Sequence, residues 1–415
     1  VDAAQTSGEI NPAALAQVRP ALQGLVDQNL LSGILTLVWR KGEVVHSEAI
    51  GRRDIASNAA MTRDTQFRIA SMTKPVTSLA VLMLMEEGKL KLSDPVTRWL
   101  PELADMKVLK APNGPLDDTV PAARDITVED LFTHRAGLAY GFTSMGPIAH
   151  AHEAALGSPL VNPLAPDAWL KKLGELPLTY QPGERFHYSH ATDVLGFLAA
   201  RIEGRPLGEV LKARIFDPLG MSDTAFWLPP GSRDRLARLY QAPAEDGASL
   251  KDVSLPMDDT APAFEGGGGG LISTADDYLA FARMLMGRGE VDGVRLAKPE
   301  TVDLMSANRL TDVQRGHTFM GMPFWMSQGF GLGLSMILDA EKHQWMGAGA
   351  AGSYGWPGAF GTWWQADPTN DMILMYLIQD SMPLGPEAVT AMQGQRPTGR
   401  IGGAMFQKIV YSGLG

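Results

Sequence analysis

Two strand pairs stand at opposite ends of this chain, and they constrain its fold more than any other feature. Residues 33–50, GILTLVWRKGEVVHSEAI, read as two strands of β-branched and aromatic residues around Lys41-Gly42, a hairpin signal. Residues 361–380, GTWWQADPTNDMILMYLIQD, give a strand, a turn at Asp367-Pro368-Thr369-Asn370-Asp371, and a second strand that is almost continuously apolar. Strands at both ends with helical patterns between them predict an α+β fold whose single sheet layer is assembled from the N- and C-terminal parts. The sheet domain is expected over residues 1–90 and 251–415, with a mostly helical inserted domain over 91–250.

The middle of the chain differs in composition. Pro-rich connections at 111–123, 157–166 and 228–233 separate short helical patterns such as Val194–Glu203 and Leu207–Phe216. The return to the sheet is marked by Gly266–Gly270, read as a run that permits unusual backbone angles, followed by Ser273 or Thr274 as a cap and then a helix. No Gly-Lys-Ser/Thr follows these glycines, so they do not read as a phosphate cradle.

With 415 residues, 45% of them hydrophobic, the chain can bury a large core. A net charge of -10 without any Lys/Arg block gives no footprint for nucleic acid. The absence of cysteine removes disulfides, thiolate catalysis and Cys-ligated metals, and leaves the compartment open. The apolar window Val76–Met85 is shorter than the roughly 20 residues a membrane span requires. The opening Val1-Asp2-Ala3-Ala4 is expected to reflect a removed export signal or a trimmed sequence, so the chain reads as soluble, either cytoplasmic or exported.

Chemistry concentrates first in RIASMTKPVTSLAVLMLMEEGKL, residues 68–90. On a helix, Ser71 and Lys74 share one face with Cβ atoms about 5–6 Å apart. Pro75 fixes the pair in the first turn, where free N–H groups favour an alkoxide or oxyanion. Because the run after Pro75 is apolar nearly all round, the helix is expected to be central and Lys74 desolvated, which makes a neutral amine available as a general base. A bare Ser-x-x-Lys also fits a cap followed by a solvated lysine, so two further stretches matter. In YQPGERFHYSH, residues 180–190, Tyr188 can share the serine proton with Lys74. In GSYGWPGAFGTWW, residues 352–364, a strand is expected to begin near Trp356. There Gly358 would let backbone pass close to an acyl group, and the Ala359 and Ser71 N–H groups could form an oxyanion hole.

Competing patterns are weaker. AGSYG, residues 351–355, imitates a nucleophile elbow around Ser353, but a Trp-rich strand follows and no histidine occurs after His343. His150, His152 and Glu153, or His187 with His190, lack a third cluster for a metal site.

Ser-x-x-Lys, Tyr-Ser-x and the late Trp-x-Gly, in this order, resemble the serine β-lactamase and penicillin-binding-protein superfamily, and within it the class VIII carboxylesterases. The blocks FRIASMTKP (67–75), TVEDLFTHRAGL (127–138), PGERFHYSH (182–190), IFDPLGMSDTAF (215–226) and GGGGLISTADDYLAFARMLM (267–286) extend the resemblance over most of the chain. It implies a β-lactamase-like fold, an antiparallel sheet flanked by helices with an active site in the cleft between sheet and helical parts. It also implies Ser71 as nucleophile, Lys74 and Tyr188 as general bases, and Ser71 and Ala359 N–H as oxyanion donors. Two departures bear on substrate. His190 replaces an asparagine that contacts ligand amides, and is expected to contact substrate with different hydrogen bonds. Trp356-Pro357-Gly358 replaces Lys-Thr-Gly, which removes the counter-ion for a substrate carboxylate and places Trp356 in an apolar pocket. The expected activity is hydrolysis of short-chain neutral esters through a Ser71 acyl-enzyme, without a cofactor, with weak cephalosporin hydrolysis as a side activity. The alternatives are a β-lactamase or D-amino-acid peptidase, an acyltransferase of the same superfamily, and a non-enzymatic penicillin-binding-like sensor.

Overall fold

The computed structural model describes residues 9–388 and 399–415; the opening Val1-Asp2-Ala3-Ala4 lies outside them. Both strand pairs join one antiparallel eight-stranded sheet. Its strands are β1 (Gly33–Arg40), β2 (Glu43–Asp54), β3 (Ala59–Ala60), β4 (Gln328–Phe330), β5 (Ser335–Ile337), β6 (Tyr354–Gly355), β7 (Trp363–Asp367) and β8 (Met372–Leu377), in the order β4-β5-β6-β7-β8-β1-β2-β3. The seam between the two halves of the chain is the pairing of β1 with β8, in the register Leu35↔Leu377, Leu37↔Met375 and Trp39↔Ile373. Lys41 and Gly42 close the first hairpin with φ of 48° and 96°, the left-handed pair that matches strand twist.

Alternation along these strands assigns the two faces. Ile34, Val38, Met372, Leu374 and Tyr376 pack with α1 (Val18–Asp27) and α5 (Ile401–Ser412) through Val18, Leu22, Phe406 and Val410. Leu35, Leu37, Ile373 and Met375 face the larger core, which contains α2 (Thr73–Glu86) and α4 (Ala275–Met286). With both faces covered, β8 is buried along its whole length, which explains its unbroken apolar sequence. Helix α2 is likewise buried from Thr73 to Leu82 and at Leu84, as its all-round apolar pattern requires. It packs on α3 (Ala191–Glu203), whose C-terminus stops at the left-handed Gly204.

Local expectations are corrected in three places. Trp356 does not open a strand: it follows the two-residue β6, and residues 356–362 form a loop before β7. None of Gly266–Gly270 adopts a positive φ. The run is small because it lies against helices: a Cβ at Gly267 would stand 3.1 Å from both Leu207 Cδ2 and Thr77 Cγ2, and one at Gly268 would stand 3.0 Å from the Asp193 carboxylate. The Leu207–Phe216 helix is α-helical only to Leu211 and widens to a π turn over Lys212–Phe216. Of the two candidate caps, Thr274 is the one used, accepting the Asp277 N–H.

Leu79 in α2 is fully buried in the larger core. Leu79→Ala is expected to cost about 2–5 kcal/mol through lost transfer energy and a residual cavity, read as a lower urea midpoint with an unchanged m-value.

Candidate active site

The turn that carries Ser71 is backbone-strained. Ala70 holds a φ of 45°, costly for a residue with a Cβ, and opens a single 3-10 turn, Ala70–Met72, that runs directly into α2. The turn is fixed from outside by Tyr278 Oη donating to the Met72 carbonyl at 2.7 Å and by the Leu271 N–H donating to Thr73 Oγ1 at 3.1 Å. Ala70, Met72 and Lys74 are buried while Ser71 retains partial exposure, so this turn presents one hydroxyl to the cleft.

Lys74 Nζ reaches three acceptors: Gly268 O at 2.6 Å, Tyr140 Oη at 2.8 Å and Ser71 Oγ at 3.2 Å. All three are oxygens that can accept a lysine N–H. Tyr188 Oη donates to Ser71 Oγ at 2.6 Å and accepts the indole N–H of Trp356 at 3.0 Å. Lys74 Nζ also sits 4.6 Å from the centre of the Tyr188 ring. Ser71, Lys74, Tyr188 and Trp356 therefore converge, although they come from widely separated parts of the sequence. Tyr140 is the residue that the sequence reading missed. Burial, helped by the charge of Asp193 and by Tyr188, pushes its phenol well above the ordinary tyrosine range, so it stays a neutral partner of Lys74.

Gly358 and Ala359 lie beside the turn that carries Ser71. A Cβ on Gly358 would fall 2.4 Å from Ile69 O, so its small size serves a close approach to backbone two residues before Ser71. The Gly358 N–H is used by Thr362 O at 2.7 Å. Among the described residues, neither the Ser71 nor the Ala359 N–H has an acceptor within the protein. Arg400 Nη2 holds the Ala359 carbonyl at 2.7 Å from the opposite side.

His190 lies elsewhere than expected. It is 3% exposed, its Nδ1 meets Asp193 Oδ2 at 2.8 Å, and its ring packs on Tyr140, His152 and Trp169. Asp193 Oδ1 in turn accepts the Gly268 N–H at 2.9 Å, so the residue whose carbonyl receives Lys74 is held at its N–H as well. His190 is thus part of a support beneath Lys74 instead of a surface open to ligand. Trp356 is also buried, against Phe319, Phe324 and Phe330, with its polar edge given to Tyr188. Ser353 is 1% exposed and precedes a strand, so it offers no elbow. His150 is exposed and His152 buried, and among the described residues no group of three or more His, Asp or Glu is placed to hold a metal ion.

The family profile Beta-lactamase matches residues 18–395. The chain belongs to the beta-lactamase family. Within it, the chain is 48% identical over 398 residues to protein Rv1367c of Mycobacterium tuberculosis, covering 95% of this chain and 98% of that one. It is 31% identical over 389 residues to esterase EstB of Burkholderia gladioli, covering 87% and 91% respectively. The solved structure of EstCE1, a hydrolase with promiscuous acyltransferase activity, superposes with a TM-score of 0.76 at 26% identity, covering 96% of this chain and 99% of that one. These relatives place it with the beta-lactamase-like carboxylesterases. Among the described residues no helix is long and apolar enough to cross a membrane.

Burial around the site also sets acid stability. It pushes His187 down to about 4 and His152 down to about 3, from 6.5. Both stay neutral in the folded state, so below pH 6.5 the unfolded chain binds more protons and stability falls with pH. The loss begins near pH 6.5 and continues toward the folded values, with a limiting slope of about 1.4 kcal/mol per pH unit for each histidine. Urea midpoints at pH 7.0 and 5.0 should show a clear drop, and His187→Gln should make it shallower; equal midpoints would show that burial does not hold these rings neutral.

Proposed function

We propose that this chain is a serine carboxylesterase that hydrolyses short-chain neutral esters through a Ser71 acyl-enzyme. Its cleft would lie between the sheet part, residues 1–90 and 251–415, and the helical part, 91–250. The observation that carries the reading is the simultaneous contact of Ser71 Oγ with Tyr188 Oη at 2.6 Å and Lys74 Nζ at 3.2 Å. The esterase name of the EstB relative supports it.

In this scheme Ser71 Oγ attacks the ester carbonyl and its proton passes to the Tyr188/Lys74 pair. The pair accepts only when one of its members is unprotonated, and Tyr188, whose Oη lies 2.6 Å from Ser71 Oγ and accepts the Trp356 N–H, is the direct acceptor. The Ser71 and Ala359 N–H groups, free of internal acceptors, take the tetrahedral oxyanion. The proton then goes to the departing alkoxide. Water enters, loses its proton to the same pair, and releases the acid while Ser71 is regenerated. The reaction as written uses no cofactor. Gly268 O, Tyr140 and the Asp193–His190 pair hold Lys74 in place throughout.

Trp356 occupies the position where β-lactam-hydrolysing relatives carry a carboxylate-binding lysine. The lack of an ammonium there favours neutral groups beside the reacting carbonyl and leaves cephalosporin turnover as a weak side activity. A second reading, acyl transfer to an alcohol, is favoured by the acyltransferase activity in the description of EstCE1. The acyl-enzyme is common to both.

Reaction with a fluorophosphonate followed by peptide mapping should place the label on Ser71, and Ser71→Ala should abolish turnover of a 4-nitrophenyl ester. A label on Ser353, or an active Ser71→Ala protein, would sink the scheme. Trp356→Phe keeps the apolar wall but removes the N–H to Tyr188, and kcat should fall roughly 10- to 100-fold, the range for one hydrogen bond to a charged oxygen. An unchanged kcat would remove Tyr188 as the direct base.

A further inference from the structure

Arg68 stands three residues before Ser71, a distance of at most about 11 Å along extended chain. Its backbone is pinned on both sides by Gln379, which accepts the Arg68 N–H and donates to its carbonyl, each at 3.0 Å. The side chain lines a cavity of about 490 Å³ together with Arg233, Arg238, Leu239 and Leu255. Of its five guanidinium N–H bonds, one is used, from Nη2 to the Leu255 carbonyl at 3.3 Å.

No carboxylate pairs with Arg68 among the described residues, and the neighbouring charges do not compensate it. Arg238 is taken up by Asp252 through contacts of 2.9 and 3.2 Å. Arg233 spends its donors on the carbonyls of Leu228, Met257 and Asp258. Two acids line the cavity, Asp54 and Asp234; Asp54 accepts the Ser57 N–H and Asp234 is exposed, and neither forms an ion pair with Arg68. Burial, with the nearby guanidinium groups of Arg238 and Arg233, pushes Arg68 down to about 10. A partly buried cation without an anion is unfavourable in the empty protein, and a bound anion relieves it.

The cavity adjoins the nucleophile's surroundings. Leu239 and Leu255, which wall it, also belong to the apolar group packed on Ala70, Phe360 and Ala359. That group contains Ala70, the neighbour of Ser71, and packs on Ala359, whereas Tyr188, Trp356, Phe319 and Phe324 form a separate aromatic group. The Leu239/Leu255 wall is thereby connected, through Ala70 and Ala359, to the two residues offered as oxyanion donors.

We propose that Arg68 binds a free carboxylate at the far end of the acyl chain, so that the preferred substrates are monoesters of dicarboxylic acids. This rests on the ester-hydrolase reading and departs from it in one respect: the reacting carbonyl keeps neutral, apolar neighbours, but the preferred ester carries one charge at its far end. A planar guanidinium fork pairs bidentately with a carboxylate or a phosphate; the carboxylate is the anion that the far end of an acyl chain carries.

The test compares 4-nitrophenyl hydrogen adipate with 4-nitrophenyl hexanoate, equal in chain length, for the wild type, Arg68→Met and Arg68→Lys. The ratio of kcat/KM, acidic over neutral, should fall at least about tenfold in Arg68→Met, the cost of one charge-assisted contact, and less in Arg68→Lys. Equal losses on both esters, or none on either, would overturn the assignment. A binding arm is independent of turnover: adipate should raise the Tm of the Ser71→Ala protein but not of Ser71→Ala/Arg68→Met, which itself should melt no lower than Ser71→Ala, because an uncompensated charge has been removed. Equal protection by inorganic phosphate would overturn the choice of a carboxylate. If the wild type hydrolyses neither ester, the ester-hydrolase reading fails, and the adipate shift alone decides whether Arg68 is a carboxylate site.

Discussion

A buried lysine without a carboxylate partner is the constraint on which the rest of this site depends. Lys74 is fully removed from solvent, where an ammonium is tolerated only if its donors are satisfied. The fold meets that demand with one carbonyl, one phenol and the hydroxyl of Ser71. Two of the three are structural and the third is the candidate nucleophile, so satisfying the lysine and orienting the serine are the same act. Tyr140, the glycine run, Asp193 and His190 all follow from the need to hold those acceptors at fixed positions.

Much of the architecture was legible in the sequence because it rests on local patterns. The Lys41-Gly42 turn, the unbroken apolar strand of residues 372–377 and the all-round apolar helix after Pro75 each carry their own periodicity. Ser71 and Lys74 were readable from a spacing of three, and Tyr188 and Trp356 from short motifs. Tyr140, Gly268 and Asp193 were not, since they meet Lys74 or its support across sequence separations of 66, 194 and 75 residues with no motif to mark them.

The errors share a cause as well. Five glycines were taken to signal unusual dihedral angles, yet the run is needed for room against Thr77, Asp193 and Leu207. Composition cannot separate those two uses of a missing Cβ. His190 was placed at the substrate because it follows Tyr188 by two residues, but the chain enters α3 there and turns the imidazole inward to Asp193. Trp356 was expected to act through its apolar face alone, and its N–H proves to be the contact that reaches Tyr188.

Ala359, whose N–H has no acceptor among the described residues, is gripped at its carbonyl by Arg400, 41 positions downstream at the head of the last helix. The sheet beneath it likewise needs β8 to close on β1. A ribosome must therefore have passed residue 400 before the loop that carries Ala359 can be held as it is here. During translation Ser71 and Lys74 emerge early, and their surroundings are completed only when β8 and Arg400 dock.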